Sequence, residues 1–418
     1  MKYRLPLAFA AFVLIAIAAL LLAWPRAQHI PSSSPQAWAP TAGNIARGAY
    51  LARAGDCAAC HTARGGQAYA GGRAVDTPFG RVMAPNITPD VDTGIGAWTA
   101  DDFWNALHNG IAKDGRLLYP AFPYPNYTKV SRDDADALFA YLRSLPPARQ
   151  QNQPHALRFP YDSQAALAAW RLLYFKPGVY QAEPAKGADW NRGAYLVEGL
   201  GHCAACHSPR NNLGASGQGL HGGLIPVLGW YAPSLASKDP HLAQLLQTGV
   251  SPNGAVYGPM AEVVRQSLQH LSASDAGAMA AYLHTLPAER AAARPAPLPS
   301  ESLMKLGAQI YDRHCVDCHG KDGRGALTTD GAPAYPPLAG NRTLAAREPV
   351  NAIRIVLNGG FAPSTKGNPR PYGMPPFSQV LDDTEVAAVV SYVRASWGNE
   401  ARMVTAPEVN GYRSVPLE

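Results

Sequence analysis

Residues 55–66 read GDCAACHTARGG, which places Cys57, Cys60 and His61 within five positions. The pattern returns as GHCAACHSPRN, with Cys203, Cys206 and His207, and as RHCVDCHGKDG, with Cys315, Cys318 and His319. These three copies hold all six cysteines of the chain. Two thiols on one helical turn, followed at once by an imidazole, suit covalent haem attachment: each thiol adds across a haem vinyl group, and the histidine is then held under the iron as proximal ligand. A structural zinc site would need four protein ligands per ion, and no second cysteine pair lies at ribbon spacing within any segment. A redox dithiol needs no histidine directly after it and would not normally occur three times. The spacing therefore predicts three covalently attached haem c groups.

Composition agrees with a multi-part globular protein. A chain of 418 residues corresponds to roughly three domains at about 150 residues each. Its formal charge of +6 is mild, and nothing in it points to nucleic acid. Thiols that must meet haem outside the cytosol imply export. The N-terminus carries a device for it: after MKYRLP, Leu7 to Trp24 is an unbroken run of 18 apolar residues. As a helix this run is about 27 Å long, close to the ~30 Å hydrocarbon core. It reads as a retained anchor with Lys2 and Arg4 inside and the rest in the periplasm. The alternative is a cleaved signal peptide, for which the one Ala-x-Ala beyond the run, Ala37-Trp38-Ala39, lies far downstream and is followed by Pro40.

Internal repetition sets the organisation. RGAYL precedes the first two motifs, at Arg47 to Leu51 and Arg192 to Leu196, and LGAQIY precedes the third. Downstream come DADALFAYLRSLP (134–146), DAGAMAAYLHTLP (275–287) and DTEVAAVVSYVRASW (383–397), whose apolar residues recur at helical spacing. Ser131, Ser272 and Asp382 stand as capping residues three before Asp134, Asp275 and Glu385. The expected fold is mainly α, with three tandem small haem domains. Its divisions are an anchor or signal segment at 1–26, a Pro/Ser-rich tether at 27–43 and a first domain at 44–150. A connecting segment follows at 151–187, then a second domain at 188–290, a linker at 291–300, a third domain at 301–400 and a tail at 401–418.

A haem held by histidine on one face needs a partner on the other, commonly a methionine whose soft thioether favours ferrous iron. Registering the repeats on their last helices puts YGPM (Tyr257 to Met260) and YGM (Tyr372 to Met374) in equivalent loops, so Met260 and Met374 are the candidate sixth ligands. The first domain has YPAF there, and the phenyl ring of Phe122 cannot bind iron. Other matches are weak. Gly217-Gln-Gly219-Leu-His-Gly222 fits a dinucleotide pattern but follows no strand, and three Asn-x-Thr triplets are of a kind common by chance.

With NITPDVDTGIGAW, GPMAEVV, YPPLAGNRTL and SYVRASWGN, the chain from about residue 44 to 400 resembles the three-haem cytochrome c subunits of bacterial membrane-bound dehydrogenases. These serve quinoprotein alcohol dehydrogenase, flavin-dependent gluconate, sorbitol and fructose dehydrogenases, and some molybdenum aldehyde oxidoreductases. The resemblance implies that electrons from a separate dehydrogenase catalytic subunit pass through the haems to ubiquinone or a terminal oxidase at the periplasmic face of the membrane. In those relatives the first domain usually reads Tyr-Pro-Ala-Met, so YPAF departs from the pattern at the sixth ligand of the first haem. Met83, in VMAPNI, registers with Tyr231 and Tyr335 on the proline loop that runs past the proximal histidine in small c-type cytochromes, and so falls on the side of His61. His108 could reach the open face if the ligand loop shifts; otherwise Phe122 caps an open or water-bound iron.

Three haem domains consume the chain and leave no room for a flavin, quinone-cofactor or molybdenum domain. The expectation is an electron carrier with no substrate-oxidising site, the redox chemistry belonging to the haem. Two rival readings are a haem peroxidase using an open first haem and a free-standing respiratory cytochrome.

Overall fold

A computed structural model describes residues 33–287, 300–329, 331 and 333–415. The apolar run 7–24 and the Pro/Ala linker 291–299 lie outside them. Among the described residues no helix is long and apolar enough to cross a membrane.

The framework is three crossed helix pairs. Ala42–Ala54 packs on Arg132–Ser144, Ala188–Tyr195 on Ala273–Leu283, and Glu301–His314 on Asp383–Ala395. The glycine repeated in RGAYL and LGAQIY explains why these helices approach so closely. A Cβ on Gly48 would lie 2.6 Å from Tyr141 Cβ, one on Gly193 2.5 Å from the Ala278 carbonyl carbon, and one on Gly307 2.6 Å from Tyr392 Cβ. Real Cβ atoms do not come that near, so only glycine lets the backbones cross here.

The closing helices start where the sequence places them. The side chains of Ser131, Ser272 and Asp382 accept the backbone N–H of Asp134, Asp275 and Glu385. Glu385 completes the reciprocal box by accepting from the N–H of Asp382, while Asp134 and Asp275 reach across the helix pair to Arg47 and Arg192. Leu138, Phe139 and Leu142 fill the first core, and Ile310, Val386, Val389 and Val390 belong to the third.

Short antiparallel hairpins stand beside the pairs: Ala74–Thr77 with Gly80–Met83, Gly222–Ile225 with Trp230–Pro233, and Ala326–Leu327 with Pro333–Tyr335. Each second strand runs into or contains a proline, which matters below.

The chain divides into two compact units. One holds the residues up to Ala182 together with Glu198–His202 and Asn212–Ala215; the other holds Glu183–Val197, Cys203–Asn211 and Ser216 onward. In the first unit the connecting segment is structured. Its strand Ala156–Leu157 pairs with Gly80–Met83, and its helix Gln164–Tyr174, capped by Ser163, buries Leu167 and Ala168 against Leu117. The stretch read as a tether is docked from Ser33 onward: Ser33 Oγ donates to Asp136 at 2.6 Å, and Trp38 meets Phe139 edge-on at 6.0 Å. Asn44 Nδ2 donates to the carbonyls of Ala37 and Ala39, fixing the Ala-x-Ala stretch against the first helix.

In the second unit, Asn351 holds the hairpin strand Trp230–Pro233 by a two-way bond. Its Oδ1 accepts from Tyr231 N at 2.9 Å and its Nδ2 donates to Tyr231 O at 2.7 Å. The Arg354 guanidinium lies 4.9 Å from the Trp230 ring centre.

Candidate haem-binding sites

Each Cys-x-x-Cys-His forms a short helix: Cys57–His61, Ala204–His207 directly after Cys203, and Val316–His319 directly after Cys315. Spacing of three puts both thiols of a pair on one face, and the histidine ends the turn. All six cysteines are free thiols. Burial, with smaller contributions from neighbouring charges, pushes Cys57 and Cys203 up to about 12 and Cys315 up to about 11. That is the reverse of the lowered thiol that a redox dithiol requires. Among the described residues no three His, Cys, Asp or Glu side chains gather as a metal cage.

The three histidines share one arrangement. His61 Nδ1 lies 2.7 Å from Pro85 O, His207 Nδ1 2.7 Å from Pro233 O, and His319 Nδ1 3.0 Å from Pro336 O. A carbonyl oxygen can only accept, so Nδ1 carries the proton and donates it. Nε2 therefore keeps its lone pair for a metal. Burial, opposed by that hydrogen bond, holds all three below the ordinary histidine value, so the rings are neutral near pH 7. The hairpins exist in part to present these carbonyls, and a thioether-forming pair beside a neutral, oriented imidazole fits covalent haem with an iron–Nε2 bond.

The methionines read as sixth ligands stand in different local structure, one in a helix and one in a strand. Met260 lies in the first turn of Pro259–Gln266, after Gly258, which is left-handed at φ +59 and packed under the Trp230 ring. Met374 ends the strand Gly373–Met374 that pairs with Gly360–Phe361. Both are partly buried. In the first unit Phe122 occupies the loop in a tight turn: its N–H donates to Tyr119 O, and its carbonyl accepts from Tyr124 N at 2.7 Å.

The two residues considered in place of a methionine there, Met83 and His108, have these surroundings. Met83 ends the strand leading to Pro85, the residue that holds His61, and its N–H donates to His155 Nδ1 at 3.1 Å. His108 stacks on Trp104 with ring centres 4.6 Å apart and planes 9° from parallel, and its Nδ1 lies 3.4 Å from Thr128 Oγ1.

Sequence reading missed two features around the first motif. The turn Leu196–Leu200 ahead of the second motif is π-helical, and its last residues pack in the first unit: a Cβ on Gly55 would sit 3.2 Å from Leu200 Cδ1 and 3.5 Å from Cys57 Sγ. Tyr127 donates to Gly55 O at 3.0 Å and meets His202 edge-on at 5.5 Å. The second feature is Arg171, treated below. Neither has a periodic signal that could have disclosed it.

Comparison with known proteins shows the family. The cytochrome c family model matches residues 45–146 and 304–397. The chain is 40% identical over 399 residues to the gluconate 2-dehydrogenase cytochrome c subunit of Pantoea cypripedii, covering 88% of this chain and 89% of that protein. It is 35% identical over 462 residues to the fructose dehydrogenase cytochrome subunit of Gluconobacter japonicus, covering 100% and 92% respectively. It is 41% identical over 392 residues to a nicotinate dehydrogenase subunit of Pseudomonas putida, where 90% of this chain matches 32% of the relative, so it spans about a third of that protein's length. The chain belongs to the family of cytochrome c subunits of dehydrogenases, electron-transfer proteins that hold haem c covalently.

Proposed function

We propose that the chain carries three haems, at Cys57/Cys60, Cys203/Cys206 and Cys315/Cys318. His61, His207 and His319 are the proximal ligands, and Met260 and Met374 are the sixth ligands of the second and third. It takes electrons from a dehydrogenase catalytic subunit and passes them to ubiquinone or a terminal oxidase, at the periplasmic face of the membrane, with Leu7 to Trp24 as anchor. The supporting observation is the histidine-to-proline-carbonyl bond, built three times on three motifs.

Haem iron supplies the one-electron chemistry. The chain's own part is to hold each imidazole in one tautomer and offer a thioether on two of the three opposite faces. The three helix pairs are the three domains of this reading, the connecting segment completing the first.

Two measurements test it. Covalent haem retained after acid–acetone extraction of the matured protein is expected at three per chain; fewer would overturn the count. The isolated protein is expected to stay oxidised with sugars, alcohols or aldehydes and to be reduced once a dehydrogenase subunit and its substrate are added. Substrate-driven reduction in a partner-free preparation would refute the carrier role.

A further inference from the structure

A buried cation stands beside the loop where the first haem lacks its methionine. Arg171 comes from the connecting helix Gln164–Tyr174, outside the segments that match the cytochrome c family model. Its side chain runs inward and the residue is 9% exposed. Nη2 donates to Asn109 O at 2.6 Å, and the guanidinium carbon lies 5.0 Å from the Tyr124 ring centre and 4.7 Å from that of Phe175. Gly110 makes room for it, since a Cβ there would be 2.8 Å from Nη1.

What surrounds this charge does not neutralise it. Among the described residues it meets one carbonyl and the side chains of Tyr124 and Phe175, with no carboxylate within ion-pair reach. Nη1, Asn109 Oδ1 and the Tyr124 hydroxyl are all buried without a hydrogen-bond partner among the described residues. Burial pushes Tyr124 up to about 12 against the pull of Arg171, so the phenol stays neutral and supplies no counter-charge. Tyr124 is itself fully buried, and its N–H donates to Phe122 O at 2.7 Å. The guanidinium thus rests on the turn that carries Phe122.

We propose that Arg171 is a positioning and electrostatic residue of the first haem, raising its reduction potential in partial compensation for the missing thioether. This rests on the reading that Cys57 and Cys60 carry a haem. A positive charge in a poorly screened interior favours the iron state with one charge fewer, the ferrous one. A haem without a thioether otherwise sits low in potential and would hold electrons poorly among His/Met neighbours. If Arg171 were only a mechanical tie, its hydrogen bond and ring stacking would suffice and its charge would be irrelevant.

Redox titration of the matured three-haem protein, followed by absorption, separates the two roles. The wave of the first haem is identified by its loss in Cys57→Ala/Cys60→Ala. Arg171→Met is expected to lower that midpoint and leave the other two unchanged, whereas Arg171→Lys, which keeps the charge, retains most of it. Phe175, partly exposed at the end of the helix and one of the two rings on the guanidinium, gives a second handle, in which the Gln variant controls for loss of the ring. Phe175→Glu sets a carboxylate against the guanidinium and is expected to lower the same midpoint, while Phe175→Gln leaves it in place. Equal lowering by Arg171→Met and Arg171→Lys, or no difference between Phe175→Glu and Phe175→Gln, overturns the electrostatic role. If Arg171→Met does not mature, the Phe175 pair decides alone. A wild-type protein with no wave lost on removing Cys57 and Cys60 has no first haem, and it is then the three-haem reading that fails.

Discussion

Gly48 and Tyr141 face each other so closely at the first helix crossing that a methyl group on the glycine would stand 2.6 Å from the tyrosine Cβ. Alanine is intrinsically the better helix former by about 1 kcal/mol, but overpacking costs about 1–3 kcal/mol, and here the obstruction includes rigid backbone. Gly48→Ala, Gly193→Ala and Gly307→Ala are therefore expected to lower the guanidinium unfolding midpoint. Gly277 lies in the helix Ala273–Leu283 with nothing within 4 Å of a would-be Cβ, so Gly277→Ala is expected to be neutral or stabilising by up to about 1 kcal/mol. Equal destabilisation by all four changes would show that helix crossing is not what the repeated glycine serves.

Arg192 and Asp275 form a paired fork, Nε to Oδ1 at 2.8 Å and Nη2 to Oδ2 at 2.7 Å, with the aspartate side chain 10% exposed. Arg192→Met leaves that carboxylate poorly solvated, and a loss of about 1 kcal/mol is expected after allowance for the more exposed arginine. The pair Arg81–Asp76 is about half exposed on both sides, and Arg81→Met should cost nothing measurable. Chemical denaturation of both variants checks the contrast; an equal cost would place the Arg192 effect outside the ion pair.

His155 must be unprotonated to do what the structure has it do, because its Nδ1 accepts the N–H of Met83. Burial, with the Arg116 charge, holds it below the ordinary histidine value. The folded chain then binds fewer protons than the unfolded one near pH 6. The stability this group contributes is complete above the unfolded value, about 6.5, and is lost as pH falls through it towards the lower folded value. The unfolding midpoint is expected to fall between pH 7.5 and 5.5, and more gently in His155→Gln. An unchanged slope in that variant would remove His155 from the account.

What could be read in advance follows from the range of each interaction. Ser131, Ser272 and Asp382 cap their helices as the spacing implies, because a cap is settled within four residues. The repeated glycines were visible as a pattern, yet their reason lies in a second helix some ninety positions on. Pro85 and Pro233 take the expected place beside the histidines, whereas in the third repeat the acceptor is Pro336 and not Pro337, since two adjacent prolines offer two carbonyls and only packing selects one. Arg171, the two-way bond of Asn351 to Tyr231, and the docking of Leu200 beside Gly55 join distant segments through single side chains, and no periodicity announces such contacts.

The first haem is expected not to be a His/Met haem. Three side chains are the candidates for its open face. Met83 ends the strand that leads to Pro85, the acceptor of His61 Nδ1, which argues for the proximal side. His108 is stacked on the fully buried Trp104 and its Nδ1 lies 3.4 Å from Thr128 Oγ1, so Nε2 is the nitrogen it could offer to iron. The third is Phe122, whose ring meets Tyr127 at 5.4 Å and has no lone pair to give. Near-infrared magnetic circular dichroism of the oxidised protein counts thioether-ligated ferric haems, and two are expected. His108→Leu should leave the spectrum of the first haem unchanged; a change in its axial-ligand bands would make His108 the ligand after all. Phe122→Met returns a thioether to the turn fixed by Tyr119 and Tyr124, and the count should rise to three with a higher potential for that haem alone. A count of three in the unaltered protein would bring Met83 back and require the proline hairpin to lie elsewhere than beside His61.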